Sequence, residues 1–305
     1  MPQHSENENI RNVSRMPAWI RQQLGDGRVF GQTRAAVSHH QLHTVCEEAR
    51  CPNRGECWSR GTATFMLLGD ICTRACGFCS VKTGRPGAVD QDEPRRVADA
   101  VEQLGLKYVV LTSVNRDDQK DKGVGIFAAT LRELRRRDVS IGIEFLTPDF
   151  QGQQETCVDT IATVLAQTPF ASEQSPKLVW GHNVETVPRL YHKVRKGAKY
   201  AVSLSLLESI AVLPDVETKS AIMLGLGESR EEVLAVLRDL RAVGVNRISI
   251  GQYLRPSVRN LPVVEYVTPQ QFEELAETAR AMGFSWVKSG PLVRSSYHAE
   301  EVQQS

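Results

Sequence analysis

The chain has 305 residues, which is enough for one large α/β domain or two small ones. Its 37 basic and 36 acidic side chains leave a formal charge of +1, which does not suggest nucleic acid or an acidic membrane surface as a partner. No stretch is apolar over a length that could span a bilayer, and the polar N-terminus lacks the apolar core of a secretory signal. We therefore expect a cytoplasmic protein with a disordered lead-in at residues 1–15.

From residue 61 onward, short apolar runs alternate with helical patterns. The runs predict strands at residues 63–68, 108–111, 140–146, 178–180, 221–224 and 247–250. Helical spacing predicts helices at residues 97–104, 126–134, 157–165, 186–194, 231–243 and 272–282. Buried strands separated by single helices imply parallel βαβ units, and about six are visible, fewer than the eight of a closed barrel.

The predicted fold class is therefore α/β, either a partial (β/α)6 barrel or an open doubly wound sheet. We assign the barrel to residues 61–285, an N-terminal extension to 1–60 and a C-terminal extension to 286–305. The carboxyl ends of parallel strands form the active-site face of such folds. Polar residues follow the apolar runs at Asp70, Thr112, Ser113, Glu144, Asn183, Gln252 and Tyr253. The charged run at residues 132–138 reads as a solvated helix face.

Cysteine is distributed unevenly along the chain. Six of the seven cysteines fall between positions 46 and 79. In a reducing compartment such bunching indicates metal binding rather than disulfides. Cys157 stands apart in an apolar helical pattern, so we expect a buried thiol there.

The first cysteine motif is Cys72-x3-Cys76-x2-Cys79, directly after the first predicted strand. Three thiolates on one loop can bind three irons of a four-iron cluster and leave the fourth iron open. A structural zinc site is the alternative, with His39, His40 and His43 as further donors. A redox pair of the last two cysteines would leave the first without a role.

This motif, with aromatic Phe78 before the last cysteine, resembles that of the radical S-adenosylmethionine superfamily. The resemblance implies a [4Fe–4S] cluster whose open iron chelates S-adenosylmethionine, and it places Phe78 near the adenine. Other residues that it suggests for S-adenosylmethionine are Thr112, Ser113, Asn115, Asn183, Glu185 and Arg195. For Glu185 and Arg195 a surface helix charge is the alternative.

The second motif, Cys46-x4-Cys51-x5-Cys57, lies just upstream, and a structural metal site is its simplest interpretation. The motif closely resembles that of the lipoyl synthase family. Further family blocks extend the resemblance to about residue 300: LTSVNRDD, HNVETVPRLYHKVR, TKSAIMLGLGES, IGQYLRP and SGPLVRSSYHAE. The chain departs from the family pattern at Gln119, Lys122 and Val124.

The resemblance implies an auxiliary [4Fe–4S] cluster held by Cys46, Cys51 and Cys57, with Ser295 as the fourth ligand. A serine oxygen is a harder donor than thiolate and should release iron more readily. The implied reaction inserts two sulfur atoms, taken from this cluster, at C6 and C8 of an octanoyl chain. That chain is attached to a lysine of a lipoyl-carrier domain, in a 2-oxoacid dehydrogenase E2 subunit or the glycine cleavage H protein.

An electron donor such as ferredoxin or flavodoxin is implied as a further partner. Two alternatives stay open at this point. One is another radical enzyme with an auxiliary cluster, and the other is a zinc-stabilised binding module without catalysis.

Overall fold

The structure is a computed structural model that describes residues 16–20, 27–60, 64–138, 140–168, 177–299 and 301. The lead-in predicted to be disordered, at residues 1–15, lies outside the described residues. Within the described ranges, no helix has the length and apolar character needed to cross a membrane.

An eight-stranded sheet forms the centre of the described chain, in the order β1-β2-β5-β6-β7-β8-β9-β10. The short first strand pairs antiparallel with the second, and every other neighbouring pair is parallel. The strands β3 and β4 form a separate parallel pair. The strand bounds are β1 (His43–Thr44), β2 (Thr64–Leu67), β3 (Ile71–Cys72), β4 (Lys82–Thr83), β5 (Tyr108–Ser113), β6 (Gly142–Leu146), β7 (Leu178–Gly181), β8 (Val216–Leu224), β9 (Arg247–Gln252) and β10 (Trp286–Gly290).

Helices cover the outside of this sheet and connect its parallel strands. Their bounds are α1 (Gly27–His39), α2 (Val45–Glu48), α3 (Arg54–Ser59), α4 (Glu93–Gln103), α5 (Val124–Arg137), α6 (Gln154–Gln167), α7 (Tyr191–Val194), α8 (Tyr200–Ala211), α9 (Arg230–Ala242) and α10 (Pro269–Ala281). Each strand from β2 to β9 in the main sheet is followed by at least one helix before the next strand of that sheet. The predicted partial α/β barrel is confirmed.

Within the barrel, two regions differ from the sequence prediction. The helix predicted at residues 186–194 is wrong in its first part, because only a 3-10 turn at Pro188–Leu190 and the short α7 form there. The ring of Pro188 is tolerated only in the first turn of a helix, so the helical pattern before it could not be realised. The long helix of this crossover is α8, which the prediction missed.

The second region contains β10, which the prediction missed and which lies in the segment assigned to the C-terminal extension. It pairs with β9 from Trp286 opposite Arg247 to Gly290 opposite Gly251. All five of its residues are half-buried, and Lys288 lies in its middle, so no apolar run marks the strand.

Side chains alternate between the two faces of the parallel strands. The outward set packs with the helices in the main core and includes Leu111, Phe145 and Trp180. The inward set includes Tyr108, Val110 and Val179, which form a small separate cluster with Ala299. The chain after β10 therefore packs against the interior of the barrel.

The charged run at residues 132–138 is not a wholly solvated face. Arg135 is only 2% exposed in α5, and burial lowers its pKa to about 10. Cys157 is 1% exposed in α6, which confirms the predicted buried thiol.

A buried ion pair crosses the barrel interior. Lys219 Nζ lies 2.8 Å from Glu144 Oε1, both side chains are fully buried, and Tyr108 Oη donates to Glu144 Oε2 at 3.1 Å. Glu144 is therefore not at a strand end as the apolar pattern suggested, but inside β6. The pair joins β6 to β8 in the interior of the barrel.

Lys219→Met should destabilise the fold by about 3–5 kcal/mol, because it leaves a carboxylate buried without its cation. The second substitution Glu144→Gln should restore most of that loss, since the amide oxygen still accepts from Tyr108. Urea unfolding of both variants measures the effect. Arg280→Ala, which breaks the exposed pair with Glu273, serves as the control and should cost about 0–1 kcal/mol. A single Lys219→Met as mild as this control would contradict the importance of the buried pair.

Candidate functional site

A cavity of about 740 Å³ opens at the carboxyl ends of the strands. Its size lies within the range of about 300–1,000 Å³ usual for ligand sites. Segments from across the chain meet in its wall, among them the first cysteine loop, the helices of the second cysteine motif, four strands of the sheet and the segment after β10. The lining residues predicted from sequence are Cys46, Cys51, Cys57, Phe78, Cys79, Asn183, Glu185 and Ser295.

The first cysteine loop follows β2, and Cys72 is the last residue of β3. Backbone N–H groups of Arg74 and Asn115 donate to Cys72 Sγ at 3.4 and 3.3 Å. The N–H of Val81 donates to Cys79 Sγ at 3.4 Å. These N–H groups fix the positions of both sulfur atoms, and thiolate sulfur is the usual ligand of iron in cubane clusters.

Charge and burial at the loop bear on whether a cluster fits. Burial raises the pKa of Cys76 to about 12, Arg195 opposes this, and the neighbouring Cys79 and Cys72 raise it further. Burial likewise raises the pKa of Cys79 to about 11. The three sulfurs therefore lie within one another's field, and a cationic iron centre would favour their deprotonation. The donor set fits a cluster.

The histidines considered as zinc donors lie elsewhere. His40 Nε2 is 2.7 Å from Gln103 Oε1, and none of His39, His40 and His43 lines the cavity. No three His, Cys, Asp or Glu side chains within the described ranges come together in a way that could hold a single metal ion.

Backbone contacts hold the first cysteine loop from two sides. The N–H of Gly77 donates to the carbonyl of Val194 at 2.9 Å, and its own carbonyl accepts from the N–H of Leu261 at 3.0 Å. Asn260 Nδ2 donates to the carbonyl of Cys79 at 2.8 Å. The loop is thus fixed by the segment after β7 and by the loop after β9.

Gly77→Ala should displace this loop, because the new Cβ would lie 2.6 Å from the carbonyl oxygen of Lys193 and 2.8 Å from Leu261 Cδ1. We expect iron bound per chain to fall severalfold while the far-ultraviolet circular dichroism stays unchanged. Gly87→Ala is the matched control, since nothing lies within 4 Å of its Cβ. Equal iron content in the two variants would show that close packing at Gly77 is not needed.

Arg74, within the first cysteine loop, connects it to two neighbouring strand ends. Its guanidinium donates two hydrogen bonds to the carboxylate of Asp117 and two to the carboxylate of Asp149, at 2.7–2.8 Å. Burial alone would lower the pKa of Arg74, and the two carboxylates more than offset it, so the pKa is raised. This clamp was not predicted from the sequence, where its only signal is an arginine inside the cysteine motif.

Three predicted residues lie at the carboxyl end of β5 or just after it, and their hydrogen bonding differs. Thr112 Oγ1 already donates to the carbonyl of Leu146 at 2.9 Å. Ser113 Oγ is buried and has no hydrogen-bond partner in the described chain. Asn115 contacts the cysteine loop twice, through its N–H to Cys72 and its carbonyl to Thr73. Ser113 and Asn115 are therefore the better placed to meet a polar ligand beside the loop.

Glu185 and Arg195 are not surface charges, which overturns that alternative. Arg195 is 8% exposed and donates to Tyr191 Oη at 3.0 Å and Ser203 Oγ at 2.9 Å. Burial raises the pKa of Glu185, and Arg195 opposes this rise. Glu185 also has a φ of +65°, a strained conformation that occurs often at functional sites.

Asn183 connects this polar group to the C-terminal segment. Its Nδ2 donates to Glu185 Oε1 at 3.0 Å, and its Oδ1 accepts from Ser295 Oγ at 3.1 Å. Ser295, at 8% exposed, is thus directed into the barrel mouth rather than solvated in a tail.

The second cysteine motif lies on α2, α3 and the turn between them. Cys46 is buried in α2, and burial raises its pKa to about 11. Contacts with the C-terminal segment fix these helices. Asn53 Nδ2 donates to the carbonyl of Leu292 at 2.7 Å, and Tyr297 Oη donates to Glu56 at 3.0 Å. The N- and C-terminal segments therefore close one side of the cavity together.

Arg294 is a residue for which no role was predicted from the sequence. It lines the cavity between the second cysteine motif and the polar group around Glu185. Burial raises the pKa of Cys51, and the charges of Arg294 and Arg54 oppose this. The signal available in the sequence was its place directly before Ser295.

Comparison with solved structures bears on the fold. The chain is similar to Streptococcus suis SuiB bound to precursor peptide SuiA, with a TM-score of 0.53 and 11% identity over 85% of this chain and 52% of that one. It is also similar to HydG from Carboxydothermus hydrogenoformans, with a TM-score of 0.52 and 13% identity over 78% of this chain and 64% of that one. At these identities the likeness concerns the fold alone.

Comparison of sequences is more specific. Residues 66–240 match the radical SAM superfamily, and residues 3–51 match the N-terminal domain of lipoyl synthase. Lipoyl synthase 2 of Parasynechococcus marenigrum is 50% identical over 97% of this chain and 100% of its own length. Lipoyl synthase of Rubrobacter xylanophilus is 51% identical over 93% of this chain and 85% of its own. The chain thus belongs to the lipoyl synthase family of radical S-adenosylmethionine enzymes.

Proposed function

We propose that this chain inserts two sulfur atoms into a protein-bound octanoyl chain and that the cavity at the carboxyl ends of its strands is where it does so. The observation that carries the proposal is the meeting of Cys79, the second cysteine motif and Ser295 in the wall of one cavity. A radical generated at one end of such a cavity could act on a carbon chain held close to a sulfur source at the other.

In this proposal Cys72, Cys76 and Cys79 hold a [4Fe–4S] cluster whose fourth iron is left for S-adenosylmethionine. When bound, the cluster supplies the electron that splits S-adenosylmethionine into methionine and a 5′-deoxyadenosyl radical. Backbone N–H groups hold the sulfur atoms of Cys72 and Cys79 in position, and the clamp of Arg74 keeps the loop in place.

For S-adenosylmethionine we propose two groups of contacts. Ser113 Oγ has unused hydrogen-bonding capacity beside the cysteine loop, which suits the methionine amino group. Asn183 and Glu185 line the cavity, the charge of Arg195 acts on Glu185, and Phe78 would lie against the adenine. Thr112 acts indirectly, since its hydroxyl is occupied by Leu146.

Cys46, Cys51, Cys57 and Ser295 hold the second cluster, also [4Fe–4S], which is consumed as a substrate. Each sulfur it gives replaces one hydrogen, at C6 and at C8, and each replacement uses one S-adenosylmethionine. Two S-adenosylmethionine molecules thus give two methionines and two 5′-deoxyadenosines. The iron bound by the serine oxygen is held less tightly than the three irons bound by thiolates, which suits a cluster that is dismantled.

Part of the cavity wall is apolar, and an alkyl chain could pack against it. Leu146, Ala221, Met223 and Val293 line it beside the polar groups. We propose that the octanoyl-lysine arm of an E2 subunit or of the glycine cleavage H protein enters here. A ferredoxin or flavodoxin would supply electrons. The reducing cytoplasm suits the seven free cysteines.

The proposal is tested by anaerobic reconstitution of the chain with iron and sulfide, followed by reaction with an octanoyl-lysine peptide, S-adenosylmethionine and dithionite. Mass spectrometry should find peptide with two added sulfurs, as the dithiol under these reducing conditions and as the dithiolane only after the quenched product is oxidised in air. 5′-Deoxyadenosine without any sulfur-containing peptide would refute the sulfur insertion. A colourless chain that binds zinc instead of iron would refute the radical chemistry as well.

Ser295→Ala should lower dithiolane formation by at least tenfold, because the second cluster loses its oxygen ligand. 5′-Deoxyadenosine should still form. Ser296→Ala is the matched control at the neighbouring position, which also lines the cavity, and should retain sulfur insertion. The reverse result, with Ser296 needed and Ser295 dispensable, would move the ligand by one residue.

A further inference from the structure

The outer side of the first cysteine loop is bordered by an unusual concentration of positive charge. We propose that Lys193, Lys196 and Lys199, together called the basic face, form the docking surface for the protein that delivers electrons. That protein would be a one-electron carrier with an acidic surface. This inference rests on the proposed function, since it presupposes a cluster at the loop.

The position of the basic face is set by contacts with the cysteine loop. The carbonyl of Lys193 packs so closely on Gly77 that a Cβ there would lie 2.6 Å from it. Gly197, next to Lys196, lies beside Arg74 of the same loop, since its Cβ would be 3.8 Å from Arg74 Cδ. Within the loop, Ala75 is exposed. The loop therefore reaches the surface where the basic face begins.

The charge of the basic face is available to a partner. All three lysines are exposed, and none forms an ion pair or side-chain hydrogen bond with any residue that the structure describes. By contrast, the loop's own carboxylate neighbours Asp117 and Asp149 are paired with Arg74. The local excess is notable in a chain whose formal charge is only +1.

A helix terminus adds to the positive potential. Lys199 is the N-cap of α8, a twelve-residue helix whose first turn contains no acidic residue. The N-terminal end of a helix carries a partial positive charge, so it acts with the lysines rather than against them. Potentials of this kind raise association rates with oppositely charged partners by about 10–1,000-fold.

An exposed apolar side chain lies on a second segment that contacts the first cysteine loop. Val258 is 86% exposed at the tip of the loop after β9. Two residues later, Asn260 donates to the carbonyl oxygens of Cys79 and Gly77. An apolar centre near charged side chains is the usual anatomy of a protein contact surface.

The basic face suits an electron carrier better than the substrate carrier because it borders the first cysteine loop and not the cavity. None of the three lysines lines the cavity, whereas the second cysteine motif that must meet the octanoyl chain does. An electron needs no opening, only a short distance to the loop. The carrier would lose one electron, and S-adenosylmethionine would gain it as its C5′–S bond breaks.

The test uses the reconstituted holoenzyme and the triple variant Lys193→Glu, Lys196→Glu, Lys199→Glu. With an acidic ferredoxin in reduced form, the second-order rate of 5′-deoxyadenosine formation should fall at least about tenfold, and its dependence on salt should flatten. With dithionite, a small reductant, the rate should stay within about twofold of wild type. The control variant Arg132→Glu, Lys177→Glu, Arg238→Glu reverses three exposed charges elsewhere and should leave both rates unchanged.

Binding of oxidised ferredoxin, measured by titration calorimetry at low salt, gives a readout independent of activity and should weaken only in the first variant. Unchanged ferredoxin affinity and rate in that variant would overturn the inference. A raised KM for the octanoylated carrier with unchanged ferredoxin kinetics would overturn it too and assign the basic face to the substrate carrier. Failure of the wild-type chain to cleave S-adenosylmethionine with dithionite would instead refute the proposed function.

Discussion

Cys72→Ala should abolish reductive cleavage of S-adenosylmethionine. The loop would keep only two thiolates, and the backbone donors of Arg74 and Asn115 would lose their shared acceptor. Because two ligands hold an open cluster poorly, we expect the cluster to be lost from this loop rather than slightly altered. The readout is 5′-deoxyadenosine formed with dithionite, which should fall to background.

Cys157→Ala is the matched control for this experiment. Its thiol is also buried, but it lies on α6 and contacts the carbonyl of Asp121 rather than either cysteine loop. Cleavage should therefore persist. Cleavage at the wild-type rate in Cys72→Ala would contradict the assignment of the radical cluster, whereas loss in both variants would point to unfolding.

Cys51→Ala should separate the two halves of the reaction. Cys51 lines the cavity within the second cysteine motif, and the charges that act on it are those of Arg294 and Arg54 rather than groups of the first loop. S-adenosylmethionine should still be cleaved, while the octanoyl peptide should gain no sulfur. Iron content should fall from about eight to about four per chain, the content of one [4Fe–4S] cluster.

Any dithiolane product from Cys51→Ala would contradict the role of the second cluster. The triple substitution of Cys46, Cys51 and Cys57 by alanine provides a check. It should match the single variant in both iron content and cleavage. Once the loss of one thiolate has removed the cluster, the loss of the other two has no further effect.

Much of the barrel was predictable because its strands and helices have strong periodicity. The buried strand β5 and the amphipathic helix α9 are apolar at the spacing that each element requires. The prediction failed where the apolar pattern was weak or where a proline interrupted it. The strand β10 is half-buried and contains a lysine, and α8 follows a proline-bearing segment that carried a misleading helical pattern.

The candidate site was predictable only in part. Short cysteine spacings are visible in a sequence because the ligands of each cluster are local. The pairing of Asn53 with Leu292, by contrast, joins residues 239 positions apart, and no local pattern encodes it. The burial of Arg195 likewise depends on Tyr191 and Ser203 packing around it. Such tertiary contacts decide whether a charge belongs to the site or to the surface.

The central claim is that one chain generates the radical at Cys72, Cys76 and Cys79 and takes both sulfurs from an iron–sulfur cluster that the same chain holds. It is tested most directly by reconstituting the chain with ³⁴S-sulfide, removing free sulfide and allowing a single turnover on octanoyl-lysine peptide. We expect a peptide with two added sulfurs, both ³⁴S, with one product at most per chain. Product whose sulfurs are unlabelled, or product that exceeds one per chain without added sulfide, would contradict the claim.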